Sequence, residues 1–332
     1  MKRLVRATFL SATLAVFAGH ASLASAQTTP PADAWPQRPV RMVVPFPPGG
    51  GTDVVTRALA QKLAGRLGTA VLVDNKPGAS TIIGTEAVVR ADPDGYTLLV
   101  SGSTSYTVNP ALRSKLPYDP AKDLVPAATV ARAPLVLVVS ASAPYKDLNA
   151  LIAAAKAKPK GIHYATFGPG SGPHLAGALL EQAAGIQLQD VPYRGSSQSL
   201  IALMGGEIQL GIDTVAAAAP QVKAGKLRAL AIAGKSRSSM LPGEPTVEEL
   251  KLPDAVFDAW YAIAAPAKTP PSVIRKLVTE VEAVTRDSGL QEQMRTQGME
   301  PVHLGPVATR AMIDDEIGRY RALAHRAKIV VD

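Results

Sequence analysis

Apolar positions along this 332-residue chain fall into short runs that alternate with longer segments of helical period. Met42-Val43-Val44 reads as a buried strand. Val55, Leu59, Leu63 and Leu67 then recur every fourth residue, which predicts a helix over 53–67 with Gly68 as its C-cap. Val71-Leu72-Val73 is a second strand, Ser80 to Ala91 a second helix, and Asp92-Pro93-Asp94-Gly95 a turn before the strand Tyr96 to Val100. Strand, helix, strand, helix, strand is the order of a parallel sheet. Periodicity is lost among the prolines of Asp119 to Pro134, and Leu135 to Ser140 is a continuous apolar run, so a crossing between domains is predicted here. The alternation restarts with helices at 148–158, 173–184, 197–204 and 216–224 and strands at 162–166, 190–193, 208–212 and 227–231. Phe257 to Ala264 reads as the return crossing. Helices at 271–287, 289–297 and 306–328 follow and are expected to pack on the first domain. The pattern thus predicts two α/β domains, residues 38–134 plus 258–332 and residues 135–257.

Glycine marks the places where this pattern meets candidate chemistry. Gly49, Gly50 and Gly51 join the first strand to a helix that starts at Thr52, and without Cβ atoms they let a ligand approach the peptide groups. The first N–H groups of a helix lack intrahelical acceptors and carry partial positive charge, so such a turn suits an anion; an ordinary connection is the alternative. Asp53 serves either as a cap or as a ligand contact. The dinucleotide fingerprint fails at Val54 and the P-loop fails at Thr52-Asp53, which disfavours nucleotides. Phe167-Gly168-Pro169-Gly170-Ser171-Gly172 is a second bare helix start, with Pro173 suited to the first turn. Arg194-Gly195-Ser196-Ser197 is a third. The stretch Ser101 to Ser105 reads as a loop of small donors at the same sheet edge as Gly49, where open α/β sheets bind ligands. Two domains with such loops describe a cleft that closes on a small solute.

The ends and the composition change the picture in two ways. Lys2, Arg3 and Arg6, an apolar stretch from Ala7 and the small residues Ala24-Ser25-Ala26 read as a signal peptide over 1–26, with a leader over 27–37. Cleavage after Ala26 would place the protein outside the cytoplasm. The formal charge of +8 includes those three cations, leaving +5. Basic residues are scattered without interleaved aromatics, which excludes a nucleic-acid footprint, and zero cysteines leave stability to the core.

The ordered segments WPQRPVRMVVPFPPGGGTD, VDNKPGAS, ADPDGYTLL, GSGPHLAGALL, VPYRG, LMGGEIQLGID, VKAGKLRALAI, LPGEPTVEEL and APAKTPPSVI resemble the tripartite tricarboxylate transporter receptors of the Bug type. The resemblance runs from Trp35 to the chain end. It implies a type II-like, Venus-flytrap periplasmic binding protein, each domain a mixed sheet flanked by helices, acting as a monomer without cofactor or metal. A carboxylate would lie between the domains: a di- or tricarboxylate, an aromatic acid or an acidic amino acid, passed on to membrane permease subunits. Ligand contacts map onto Phe46, Gly49, Gly51, Thr52, Asp53, Ser101 and Ser103 on one side. On the other they map onto Thr166, Ser171, Gly172, His174, Tyr193, Asp213 and Thr214. Gly50 belongs to the same bare loop, and Arg194 either pairs with a carboxylate or is solvated. The chain departs from the family at Gly168-Pro169-Gly170, where serine and valine are usual.

Catalysis finds little support in these residues. A nucleophile elbow needs glycines two before and two after its serine, and Ser171 has Pro169 and Pro173 there. His163, His174, His303 and His325 show no metal-binding spacing. A binding protein without chemistry is expected, with a receptor feeding a membrane kinase or an exported hydrolase as alternatives.

Overall fold

The computed structural model describes residues 35–329 and residue 331. The signal peptide, its cleavage point and the leader up to Asp33-Ala34 lie outside the described residues. Strand β1 (Val40–Val44) is followed by α1 (Gly51–Leu67), β2 (Val71–Asn75), α2 (Ile82–Val89) and β3 (Thr97–Gly102). β1 pairs in parallel with both β2 and β3, with Met42 level with Val73 and Leu98. Helix α1 stops at Gly68, whose φ of +68° lets its N–H reach the Ala64 carbonyl. Consecutive residues of these strands serve opposite faces. Met42, Val44, Leu98 and Val100 pack with Leu59 and Leu63 of α1, whereas Val43 and Leu99 pack on the other side with Trp260 and Ile313. Burial on both faces explains why β1 and β3 read as unbroken apolar runs; β2, at the sheet edge, leaves Leu72 exposed.

The expected donor loop after β3 is absent. Ser101 and Gly102 are still on the strand, and a π-helical turn, Thr104–Val108, leads directly into α3 (Asn109–Leu112). Its polar residues satisfy one another in the interior: Ser101 Oγ lies 2.6 Å from Ser105 Oγ, and Thr107 Oγ1 donates to the Ser103 carbonyl at 2.9 Å. Internal pairing of this kind lets hydroxyl residues leave the surface, which composition could not show.

After α4 (Pro120–Asp123) the stretch predicted to be irregular is one strand, β4 (Leu124–Ser140), 17 residues long. Proline misled because it cannot donate to a ladder, yet Pro126 sits at a register shift and Pro134 stands opposite Asp258, where the partner strand begins. Next come α5 (Leu148–Ala157), β5 (His163–Thr166), α6 (Gly172–Ala184), β6 (Gln189–Pro192), α7 (Ser196–Met204), β7 (Gly211–Thr214), α8 (Val215–Lys223) and β8 (Leu227–Ile232). β9 (Asp258–Pro266), α9 (Pro271–Thr285), α10 (Ser288–Thr296), β10 (Glu300–Leu304) and α11 (Pro306–Ala327) complete the order. β10, Glu-Pro-Val-His-Leu, is short, carries a proline and is not among the predicted strands; it pairs antiparallel with β4.

One mixed sheet runs β10-β4-β9-β3-β1-β2, and the far end of β4 adds β7 and β8. β4 changes partners at Pro134-Leu135: residues up to Pro134 pair with β9, and those from Leu135 pair with β7 and β8. β5 and β6 form a separate parallel pair. Beyond the partner change, Leu137 and Val139 pack under α5 and α6, while Val136 and Val138 pack under α7 and α8. Helix α11 serves both ends. Ile313 joins the cluster around Trp260, but Tyr320 and Leu323 join the Leu175 and Phe257 cluster, so this helix does not pack on the first part alone. Each fully buried leucine in these clusters contributes about 2 kcal/mol relative to exposure.

Candidate functional site

Three helices begin at one cavity of about 280 Å³. Each follows a strand directly or through a short loop. α1 starts with Gly51 and Thr52 after β1, α6 with Gly172 and Pro173 after β5, and α8 follows the N-cap Thr214 at the end of β7. All five of these residues line the cavity, together with Ser103 and Thr104 at the head of the π-helical turn. The positive ends of three macrodipoles therefore meet at the same space, although Ala217 N–H of α8 is capped by Thr214 Oγ1 and Pro173 of α6 has no N–H to offer. Phe46, Phe167, Phe257, Trp260 and Tyr261 supply much of the remaining wall, and the buried Asp213 is part of it. Aromatic walls lower the local dielectric and strengthen such dipolar attraction.

The glycine at position 51 has a steric reason. A Cβ there would come 2.7 Å from the Tyr261 hydroxyl. Gly50, by contrast, is exposed, and its Cβ would meet only the Pro47 carbonyl at 3.8 Å. Gly49 is exposed too, with a φ of +85° that disfavours other residues. Neither Gly49 nor Gly50 lines the cavity, so the bare stretch meets the ligand space only at its last glycine.

Asp53 faces the loop and not the cavity. Its carboxylate accepts from Gly49 N–H at 2.9 Å, Arg57 Nε at 2.9 Å and Asn75 Nδ2 at 3.0 Å. Burial alone would raise its pKa; these donors outweigh it and hold the group below the ordinary carboxylate value. The second loop is tied by neutral groups. Ser171 Oγ accepts Phe167 N–H at 3.1 Å, Thr166 Oγ1 accepts Gly168 N–H at 3.4 Å, and His174 Nδ1 accepts Gly170 N–H at 3.1 Å. Burial holds His174 below the ordinary imidazole pKa, so the ring is neutral, and the nitrogen beside the loop accepts and does not donate. His174 lines neither this cavity nor the one beside it, and with Nδ1 engaged by the loop only Nε2–H is left to donate. Ser171 and His174 each bond a loop amide and are not hydrogen-bonded to each other.

Asp213 lines the cavity with 1% exposure. Its Oδ1 accepts from Ser196 Oγ at 2.8 Å and from Thr214 N–H at 2.7 Å; burial pushes its pKa up and these bonds pull it partly back. Ser101 is fully buried among Ser105 and Thr81 hydroxyls and does not line the cavity, unlike Ser103. Thr166 is fully buried, Tyr193 is half-buried and Arg194 is exposed, and none of them lines this cavity or the one that adjoins it. Among the described residues no group of His, Asp or Glu is arranged to hold a metal ion.

A second cavity of about 370 Å³ adjoins the first and shares Phe46, Thr104, Val108, Phe167 and Gly170 with it. Ser171 lines it, as do Thr81, Asn109 and Arg113. The aromatic wall at 257–261, the π-helical turn and Arg113 were not assigned to the site by sequence reasoning. Only Phe167, flanking a glycine loop, carried a local signal.

Residues 55–329 match the model of the tripartite tricarboxylate transporter family receptor. The chain is 38% identical over 314 residues to protein BugT of Bordetella pertussis, covering 94% of this chain and 95% of that one. Among solved structures, the R. palustris protein Rpa4515 with adipate is 32% identical, with a TM-score of 0.76 over 89% of this chain and 99% of the other. MatC of Rhodopseudomonas palustris with bound malate is 30% identical, with a TM-score of 0.72 over 87% and 99%. With its α/β mixed sheet and its cavity built at helix starts, the chain belongs to the tripartite tricarboxylate transporter receptor family, whose members are solute-binding receptors.

Proposed function

We propose that this receptor works in the periplasm, holds a small carboxylate in the inner cavity without transforming it, and hands it to the permease subunits of a tripartite tricarboxylate transporter. The observation that carries this reading is the convergence of the α1, α6 and α8 N-termini on one partly aromatic cavity. Relatives with bound adipate and malate support the ligand class. No helix among the described residues is long and apolar enough to cross a membrane, which suits a receptor that delivers to a separate permease.

The proposed mechanism is closure of two lobes, residues 38–134 plus 258–332 and residues 135–257. Support comes from β4, which changes partners at Pro134-Leu135, and from β9, which begins opposite at Asp258. Arg132 and Lys235 N–H both contact the Asp258 carboxylate there, tying the two segments at the proposed hinge. Gly51 and Thr52 come from one lobe, Gly172 and Thr214 from the other. A carboxylate touching both favours the closed form by its extra contacts.

The test is calorimetric and thermal-shift titration of the purified protein with carboxylates, with their neutral amides as controls. Carboxylate binding with a raised melting temperature and no amide binding is expected. Trp260 lines the cavity, so its emission should change with the same midpoint. Binding of amides and acids alike, or ester turnover lost in Ser171→Ala, would overturn the reading.

A further inference from the structure

The outer cavity holds a cation that the inner site does not use. Arg113 is the C-cap residue of α3, half-buried, and lines this cavity. Its Nε donates to Asn109 Oδ1 at 3.2 Å. Asn109 is itself fixed, because its Nδ2 donates to the Ser80 carbonyl at 2.7 Å and to Thr81 Oγ1 at 3.3 Å. That chain of bonds sets the plane of the guanidinium and leaves its two terminal nitrogens unengaged by any acceptor among the described residues. No carboxylate among them lies within ion-pair distance of Arg113. A half-buried, oriented guanidinium with no counterion among the described residues can receive a carboxylate end-on, through one N–H of each terminal nitrogen.

The path between the two cavities is apolar. Phe46, Val108 and Phe167 line both, so a ligand that spans them passes methylene groups between aromatic and aliphatic surfaces. From this juxtaposition we propose that Arg113 is the specificity-determining residue for a second carboxylate, and that the receptor selects α,ω-dicarboxylates with one end at the helix starts and the other at Arg113. The inference rests on the carboxylate reading of the inner cavity and adds a distal anchor to it. Asn109 is a positioning residue for that anchor.

The experiment uses the full receptor and three probe pairs: succinate, glutarate and adipate, each against its monomethyl ester. The half-ester keeps the proximal carboxylate and the chain but removes the distal charge. The wild type should bind at least one diacid roughly tenfold or more tighter than its half-ester. Arg113→Gln should erase that preference, weakening the diacid while leaving the half-ester within about twofold. Arg113→Lys should retain part of it, because an ammonium is a point charge without the fork. Retention of the preference in Arg113→Gln, or equal loss for diacid and half-ester, overturns the distal role. Equal wild-type affinity for both members of every pair overturns it as well, while leaving the inner carboxylate site standing. No binding of any of the six probes overturns the inner site and this inference together.

Discussion

The two glycine-rich helix starts look alike as strings of residues and are held in place by different chemistry. In the first, a buried ionised carboxylate, Asp53, gathers Gly49 N–H, Arg57 and Asn75. In the second, a hydroxyl and a neutral imidazole, Ser171 and His174, each accept a loop amide four residues back. In the first loop the tied amide, that of Gly49, lies away from the ligand space, whereas in the second the tied residues Phe167 and Gly170 line both cavities. Of the first bare stretch only Gly51 reaches the inner cavity, whereas Gly170 and Gly172 of the second both line it. The difference teaches that the polar side chain beside a bare helix start first satisfies the loop itself, because exposed amide groups in a tight turn need acceptors. It also gives the two loops opposite sensitivities to charge.

The largest effect should come from removing the ionic tie. Asp53→Ala leaves three donors without their acceptor, one of them a cation, so unfolding free energy should fall by about 2–3 kcal/mol in denaturant titration, with weaker ligand binding. An unchanged midpoint would erase the distinction between the loops. Next is Gly51→Ala, whose new methyl must displace the Tyr261 hydroxyl. Calorimetry should show affinity reduced about tenfold, since the cavity wall itself shifts.

Acid titration of stability sharpens the comparison further. His174 has a lowered pKa in the fold, so the unfolded chain takes up protons more readily and stability is lost as pH falls below the ordinary 6.5. Asp53 loses its contribution only below its ordinary 3.8, so the second loop should loosen first. Glu316 works in the opposite direction. Burial raises it from 4.5 to about 7, against the bonds from Trp260 Nε1 and Thr107 Oγ1. Its ionisation therefore costs stability as pH rises from 4.5 to about 7, by roughly 3 kcal/mol at most. Glu316→Gln should remove that fall and expose the His174 slope, which His174→Ala should flatten. The smallest effect should be at Gly50, where alanine meets no close neighbour: stability and affinity should stay within a few tenths of a kcal/mol and about twofold. A large loss there would return the ligand to the middle of the glycine run.

Much of this architecture was legible one segment at a time. The helix at 53–67 with its Gly68 cap, the restart of alternation after residue 140 and the bare helix starts at Gly51 and Gly172 all follow from local period and local turn chemistry. Where the reading failed, a distant partner changed the local balance. Pro126 and Pro134 are tolerated in β4 because β9 shifts register at one and begins at the other. Ser101 and Ser105 enter the interior because Thr81 and Thr85, more than fifteen residues earlier, complete their hydrogen bonds.

The sequence by itself determined most of the strand and helix order, though not the first half of β4, the π-helical turn or β10, together with the location of the bare helix starts and the class of ligand they suit, since each depends on residues within one or two turns of chain. Only the tertiary structure decided that three helix ends meet at one cavity, that Asp53 turns toward its own loop, and that Arg113 stands beside the ligand space. Such choices depend on which acceptor or wall a remote segment brings within hydrogen-bonding reach, and no local pattern encodes that distance.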